Sequence, residues 1–173
     1  MLIRSKLPAA EPGIVLTILR IALGSLFGST FFENLGKGLY TPKGYASLIH
    51  SYIQYGHAPA FWKAVMGSAA ANAAVAAPMQ AVLESSVAIL LIVGLFTRPA
   101  AFIAFAFLTG LWVSEWGLGW IWELLMPMIV AASLALGPSD EYVAVDAILA
   151  RRWHAAAASP APASPRRVPP ISR

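Results

Sequence analysis

Cysteine is absent from all 173 residues, and charged residues make up only 12% of them. Without cysteine, the chain itself can form no disulfide, no thiolate metal site and no thiol redox centre. A soluble domain is about one-quarter charged, so the low charge argues against an ordinary soluble fold. The sequence also lacks a phosphate-cradling glycine loop, a dinucleotide fingerprint and a Ser-His-Asp set on a plausible scaffold. Nothing in it therefore indicates a common nucleotide-binding or hydrolytic enzyme.

Apolar residues are correspondingly abundant, at 58% of the chain, with a mean hydropathy of +0.68. Four apolar segments approach the roughly 20 helical residues that cross a hydrocarbon core of about 30 Å. They cover residues 14–32, 78–96, 99–116 and 120–136. Very short turns join the last three segments, which makes neighbouring helices antiparallel. The sequence therefore predicts an all-α membrane protein, an antiparallel four-transmembrane-helix bundle within a single membrane domain at residues 14–154.

Residues 33–77 form a long outer loop between the first two predicted spans, and they carry helical signals of their own. Apolar and tyrosine side chains recur at helical spacing from Tyr45 to Ile53, and Pro59 opens a second short run. We predict short interfacial helices here, lying on the outer mouth of the bundle. The alternative interpretation is a lid that covers a site.

Lysine and arginine are distributed unevenly about the predicted spans. One side holds Arg4, Lys6, Arg98, Arg151, Arg152, Arg166, Arg167 and Arg173, and the other holds Lys37, Lys43 and Lys63. By the positive-inside rule, the side with more basic residues is cytoplasmic. We therefore expect a multi-pass protein of a bacterial-type inner membrane, with a segment at 1–13 and a disordered Ala/Pro/Ser-rich tail at 155–173 both cytoplasmic. This distribution fits a membrane surface better than a nucleic acid.

Two charged residues lie well inside the predicted spans, Arg20 in the first and Glu84 in the second. A charge near the bilayer centre costs roughly 2.5–3.5 kcal/mol on insertion scales, so such residues usually face a partner or water. Arg20 is followed at four-residue steps by Gly24 and Gly28, a surface of small residues that allows close helix packing. We interpret Arg20 as a structural or topology-determining charge, and Arg98 in the turn after the second span likewise.

Acidic residues collect in the outer half of the predicted bundle, where Lys37 is the nearest base in sequence. They are Glu33, Glu84, Glu115 and Glu123. Neighbouring carboxylates in a low dielectric repel, so one of them can keep its proton at neutral pH, as a proton relay or a quinone headgroup site would require. The structural alternative is a clamp between an acid and Lys37, with the other acids facing water. For Glu84 we predict an interior position, either paired with Lys37 or sharing a proton with Glu123.

The histidines do not support a haem or metal site. His50 and His57 lie in the outer loop and His154 in the tail, so no predicted span supplies an imidazole. A bis-histidine haem between two helices needs an imidazole from each of them. We therefore expect neither haem nor metal in this chain.

Several stretches of the sequence resemble the DoxX/DoxD-like family of integral membrane proteins. The most specific is Glu84, followed by an apolar run and then Gly94-Leu95-Phe96-Thr97-Arg98. The other similar stretches are Arg20-Ile21-Ala22-Leu23-Gly24, Asn34-Leu35-Gly36-Lys37, and Glu123 with Leu136-Gly137-Pro138 and Asp146. The long outer loop is more similar to the DoxD form, the small subunit of thiosulfate:quinone oxidoreductase. From the last stretch only Asp146 is carried over, as a structural residue.

The resemblance implies a quinone-linked redox role in the membrane, alongside a second membrane or membrane-associated subunit. Quinone is then the expected cofactor, and the candidate quinone or proton site comprises Glu84, Glu123, Lys37, Glu33 and Glu115. Without cysteine, the chain alone lacks obvious means to handle sulfur or to carry electrons. Two alternatives stay open: a non-catalytic accessory subunit of a respiratory or redox complex, and a small-solute or proton transporter. Four helices without an internal repeat suit alternating access poorly.

Overall fold

The computed structural model describes residues 12–137, which form six α-helices and no strand. In chain order they are α1 (Pro12–Gly36), α2 (Pro42–Tyr55), α3 (Ala60–Ala71), α4 (Ala73–Val93), α5 (Thr97–Ser114) and α6 (Ile121–Leu136). The prediction of an all-helical chain is therefore confirmed over this range. The predictions for residues 1–11, for Asp146 and for the tail at 155–173 lie outside the described residues.

Three of the described helices are long and apolar enough to cross a membrane. They are Gly13–Gly36, Ala73–Val93 and Thr97–Ser114. The fourth predicted span corresponds to α6, which is apolar but has only 16 residues, or about 24 Å at 1.5 Å per residue. That length is less than the hydrocarbon thickness of about 30 Å. The chain is thus a membrane protein with three candidate spans and one shorter apolar helix among its described residues.

The start of α4 differs from the prediction. The sequence pattern predicts Pro78 in the first turn of the second span, whereas α4 begins at Ala73 and contains Pro78 in its interior. A proline there removes one backbone hydrogen bond, the one to the carbonyl of Ala74. Four of the five residues before Pro78 are alanines, which have the highest helix propensity. These alanines extend the helix upstream in spite of the proline.

The apolar helices α1, α4, α5 and α6 pack against one another in pairs: α1 contacts α4 and α6, and α5 contacts α4 and α6. Small residues occupy the closest contacts, and Ala101, Ala104 and Ala131 are completely buried. The α1–α4 contact is especially tight, because a Cβ atom added to Gly24 would lie 3.0 Å from the backbone nitrogen of Ile92. The small-residue surface predicted for α1 is therefore a helix-packing surface.

Arg20 lies beside this contact and is buried, with 1% of its surface exposed. Its guanidinium donates hydrogen bonds to the carbonyls of Leu91 (2.6 Å) and Ile92 (3.2 Å) near the end of α4. The last carbonyls of a helix have no partner within the helix and form the negative end of its dipole, so a cation is stabilised there. Arg98 likewise donates to the carbonyl of Gly137 after α6, through Nε (3.1 Å) and Nη2 (2.5 Å). Both arginines therefore stabilise helix ends.

The helical signals in the outer loop are confirmed as α2 and α3. Thr41 caps α2 by accepting a hydrogen bond from the amide of Gly44 (3.1 Å), and Pro42 suits the first helical turn. The two helices pack on each other around Ile49 and Met66, and they contact α4 and α5. They form a second, smaller layer against the longer helices, and this layer positions the tyrosines of the candidate site.

Candidate functional site

Glu84 of α4 is the most buried acid in the described part of the chain, with 1% of its surface exposed. Three side chains donate hydrogen bonds to its carboxylate. Oε2 accepts from Tyr40 (2.6 Å) and from Asn34 (3.2 Å), and Oε1 accepts from Gln80 (2.7 Å). The prediction that Glu84 faces the interior is therefore confirmed.

The three donors reach Glu84 from different parts of the fold. Gln80 lies one helical turn before Glu84 on α4, and Asn34 lies in the last turn of α1. Tyr40 lies in the turn before α2, where its ring stacks on Phe31 at a centroid distance of 5.3 Å. A buried carboxylate is costly unless it is hydrogen-bonded, and these neutral donors supply the bonds that water cannot.

The structure does not bring Lys37 to Glu84. Lys37 Nζ lies 2.5 Å from Glu33 Oε1, and both side chains are exposed. Glu84 is held by neutral donors instead, so the predicted ion pair between Glu84 and Lys37 is wrong. The physical reason is local: residues four apart on a helical turn are neighbours, and Glu33 meets Lys37 at that spacing.

Glu84 and Glu123 line one cavity of about 180 Å³, which we call the Glu84 cavity. Apart from the two acids and Thr30, its walls are apolar, formed by Leu26, Phe27, Phe107, Leu108, Leu111, Leu124 and Pro127. The two residues therefore border the same apolar space, the buried Glu84 from α4 and the solvent-exposed Glu123 from the first turn of α6. A proton shared between them stays a prediction.

Glu115 and Glu123 approach each other at Gly119, in the turn between α5 and α6. A Cβ atom on Gly119 would lie 3.7 Å from Oε2 of each glutamate. The other oxygen of Glu115, Oε1, accepts a hydrogen bond from the Tyr52 hydroxyl of α2 at 2.5 Å. Glu115 lines a separate cavity beside Trp112, whereas Glu123 lines the Glu84 cavity. Glu123 thus shares a cavity with Glu84 and the Gly119 turn with Glu115.

The five candidate residues therefore fall into two groups. The first group, brought together by the fold, contains Glu84, Glu123 and Glu115. The second, an exposed pair at the end of α1, contains Glu33 and Lys37. The acids of the first group line two cavities, Glu84 and Glu123 one and Glu115 the other, whereas Lys37 pairs with Glu33.

The tyrosines that bind two of these acids hold their protons firmly. Burial and the hydrogen bond to Glu84 raise the pKa of the Tyr40 hydroxyl above its usual range. Burial and the hydrogen bond to Glu115 raise the pKa of Tyr52 in the same way. At neutral pH both hydroxyls are therefore protonated donors to carboxylate oxygens.

The donors of this site were not predicted from the sequence. Gln80 had a usable signal, since it lies four residues before Glu84 on one helix and amide–carboxylate pairs form at that spacing. Tyr40 lies 44 residues from its acceptor Glu84, and Tyr52 lies 63 residues from Glu115. No periodicity in the sequence relates positions so far apart.

The turn between α5 and α6 is held in place by His57. The backbone amide of His57 donates to the carbonyl of Trp116 at 2.7 Å. Gly117 has a φ of 85°, and a Cβ atom there would overlap the His57 imidazole, so only glycine fits. Residues 12–137 contain no cluster of three or more His, Asp or Glu side chains that could bind a metal ion.

Comparison with known proteins adds a family-level match. The family model described as DoxX matches residues 15–115, more than half of the 173-residue chain. The matched range includes Arg20, Glu84 and Arg98, and it ends at Glu115. No curated protein and no solved structure matches the chain.

Proposed function

The chain belongs to the DoxX family of membrane proteins, and we propose that it is a membrane subunit of a quinone-linked redox system, with the Glu84 cavity as its quinone site. One observation carries the proposal. Glu84 is a buried carboxylate, held by three neutral donors, on the wall of an apolar cavity that Glu123 also lines. The quinone-linked role is the one that the resemblance to DoxD-like proteins implies.

The residues of the Glu84 cavity fit a quinone headgroup. Small-molecule sites are mostly apolar, with a few placed polar groups that fix orientation. This cavity has two carboxylates and Thr30 among apolar side chains. A carboxylate has about four acceptor positions, and the described donors use three of those on Glu84. The remaining position can accept a hydrogen bond from a quinol hydroxyl.

The chain's own residues would handle protons at this site. A quinone, when bound, supplies the two-electron, two-proton chemistry. Glu84 and Glu123 can exchange protons with a group in the cavity, because both residues line it. Tyr40 and Gln80 hold the Glu84 carboxylate in position. Electrons have to arrive from elsewhere, since the chain has no cysteine and no cofactor motif, so a second membrane or membrane-associated subunit belongs to the proposal.

We also propose that α6 is a fourth span, which completes an antiparallel four-helix bundle. Its length is adequate if the bilayer thins locally or flanking side chains extend to the interface. The α2–α3 layer then lies at the outer face, where interfacial helices were predicted. By the positive-inside rule, both termini are cytoplasmic in a bacterial-type inner membrane.

Purification in mild detergent, followed by solvent extraction, tests the quinone site. Wild-type protein should retain quinone, and Glu84→Gln should retain about tenfold less, because it replaces a charged acceptor. Glu33→Gln is the matched control, since Glu33 is exposed and lies outside the cavity. Thr30→Leu is a second variant that fills part of the cavity and leaves both acids intact.

Two results would contradict the quinone site: full quinone retention by both Glu84→Gln and Thr30→Leu, or no quinone in the wild type. Mass spectrometry of co-purifying chains then separates the alternatives. A large partner without quinone would indicate a non-catalytic accessory subunit of a respiratory or redox complex. If the protein purifies with neither a partner nor quinone, the result would favour transport of a small solute or protons.

A further inference from the structure

A second cavity, of about 290 Å³, lies at the turn between α5 and α6 and has no role in the proposed quinone site. Its walls include three tryptophans, one carboxylate and two glycines, namely Trp112, Trp116, Trp120, Glu115, Gly117 and Gly119. We call it the indole cavity. Trp112 and Trp116 stack at a centroid distance of 5.5 Å and an interplanar angle of 18°. Trp120 is 76% exposed, so the cavity is accessible from outside the protein.

Negative charge is concentrated beside these rings. Oε2 of Glu115 and Oε2 of Glu123 each lie 3.7 Å from the position of a Cβ atom on Gly119. Neither carboxylate has an ion-pair partner among residues 12–137, where Lys37 pairs with Glu33. Glu115 lines the indole cavity and Glu123 lies close to Gly119 of its wall, so a cation in the cavity would offset the negative charge of both acids.

The cavity's chemistry identifies the kind of cation. The described residues provide no third His, Asp or Glu ligand here for a metal ion. Indole rings attract cations through their negative π faces, and aromatic side chains around a cavity are the arrangement that recognises quaternary ammonium groups. We propose that the indole cavity binds an alkylammonium group, with the tryptophans contacting its methyl or methylene groups and Glu115 neutralising its charge. The proposal does not depend on quinone binding in the Glu84 cavity.

The position of the cavity suits such a ligand. The tryptophans lie where the candidate span Thr97–Ser114 ends, a place typical of a membrane–water interface. Alkylammonium groups occur there as choline or ethanolamine headgroups of lipids and also as free solutes. Tryptophans at an interface can serve simply as anchors, but an anchor does not distinguish a cation from a neutral molecule of the same shape.

Binding to purified protein in dodecyl maltoside, a detergent without an ammonium group, tests the proposal. The protein is titrated with choline chloride and with 3,3-dimethylbutan-1-ol, which replaces the ammonium nitrogen by carbon. Saturation-transfer NMR on the ligand methyl groups reports binding. Choline should bind saturably and the alcohol should not. Trp120→Ala should weaken choline binding about 2- to 30-fold, the range expected for one cation–π contact.

Matched controls separate the site from general effects. Trp122 is 53% exposed and does not line the indole cavity, so Trp122→Ala should bind choline as the wild type does. Glu115→Gln should weaken binding while retaining an oxygen for the Tyr52 hydrogen bond. The control for Glu115→Gln is Glu33→Gln, because Glu33 is an exposed acid outside the cavity. Melting temperatures of all four variants show that they are folded.

The same protein preparations show whether the ligand is a lipid headgroup or a free cation. Phosphatidylethanolamine or phosphatidylcholine that co-purifies with the wild type and is lost from Trp120→Ala identifies a lipid headgroup. Choline binding without retained lipid identifies a free cation. Equal binding of choline and 3,3-dimethylbutan-1-ol would overturn the proposal. Equal losses in Trp120→Ala and Trp122→Ala would do the same, because the tryptophans would then act only as interface anchors.

Discussion

Single hydroxyl and amide groups decide how the buried Glu84 and the partly buried Glu115 are stabilised. Glu84 depends on Tyr40, Asn34 and Gln80, and Glu115 receives a hydrogen bond from Tyr52. Removing one donor leaves a carboxylate oxygen without a partner. Such a loss lowers the stability of the fold by about 1–3 kcal/mol for a neutral group and by more for a charged one. These donors are therefore as much a part of the site as the acids, although they carry no charge themselves.

Alkaline pH should destabilise the protein through Tyr52. Its pKa is raised in the folded state by burial and by the hydrogen bond to Glu115, whereas in the unfolded state it is about 10. Above pH 10 the unfolded state loses this proton while the folded state keeps it, so stability falls as pH rises towards the folded pKa. Below pH 10 the contribution is fully present. Thermal melting in detergent from pH 8 to pH 11 measures it.

Tyr52→Phe should make this dependence shallower, because it removes one of the titrating tyrosines, whereas Tyr40, whose pKa is also raised, still contributes. At pH 8 the variant should melt below the wild type, since Glu115 loses its donor. Tyr55→Phe is the control, because Tyr55 is 63% exposed and should leave the pH profile unchanged. A Tyr52→Phe protein with the same alkaline slope as the wild type would show that other groups cause the loss of stability.

At the level of helices, the contact between α1 and α4 brings the buried charges into position. Gly24 permits the close approach, Arg20 binds carbonyls at the end of α4, and Asn34 reaches Glu84 further along α1. All three contacts require the two helix axes to stay close. A change that pushes α1 away from α4 therefore weakens the Arg20 hydrogen bonds as well as the packing.

Gly24→Ala should destabilise the protein by about 1–3 kcal/mol, the usual cost of overpacking. The added Cβ would lie 2.9 Å from Ile92 Cγ1 and 3.0 Å from the Ile92 backbone nitrogen, which cannot rotate away. Gly28→Ala is the control on the same helix face, because its Cβ would meet only Ala88 Cβ, at an ordinary 3.9 Å. It should be neutral or stabilising, since alanine is the better helix former. Equal melting temperatures for both variants would contradict the close contact.

For the whole molecule, the proposed orientation places the α2–α3 layer outside and the turn at Arg98 in the cytoplasm. The Glu84 cavity and the indole cavity both lie towards the α2–α3 side, because Tyr40 and Tyr52 bind the acids that line them. An outer location would expose the indole cavity to the outer leaflet and to solutes outside the cytoplasm. Orientation therefore determines which partners and ligands can reach each site.

Single cysteines test this orientation cleanly, because the native chain contains none. Ser47 on α2 and Pro99 at the start of α5 are both exposed. Ser47→Cys should react with a membrane-impermeant maleimide in intact cells, and Pro99→Cys only after the cells are opened. The opposite pattern would reverse the proposed topology, and labelling of both positions in intact cells would contradict the assignment of α4 as a single span.

Composition and the length of the apolar runs were sufficient to predict an all-helical membrane protein, because a helix in lipid satisfies its own backbone hydrogen bonds whatever it packs against. They also located the interior acid Glu84, since a charge in an apolar helix has to avoid lipid. The partners of Glu84 depended on tertiary structure. The local i,i+4 pairing took Lys37 to Glu33, and packing of α1 and the turn before α2 against α4 supplied Asn34 and Tyr40 instead. Side chains this far apart in sequence meet only after the helices and turns have packed together. A sequence pattern does not contain the distances in space that result from this packing.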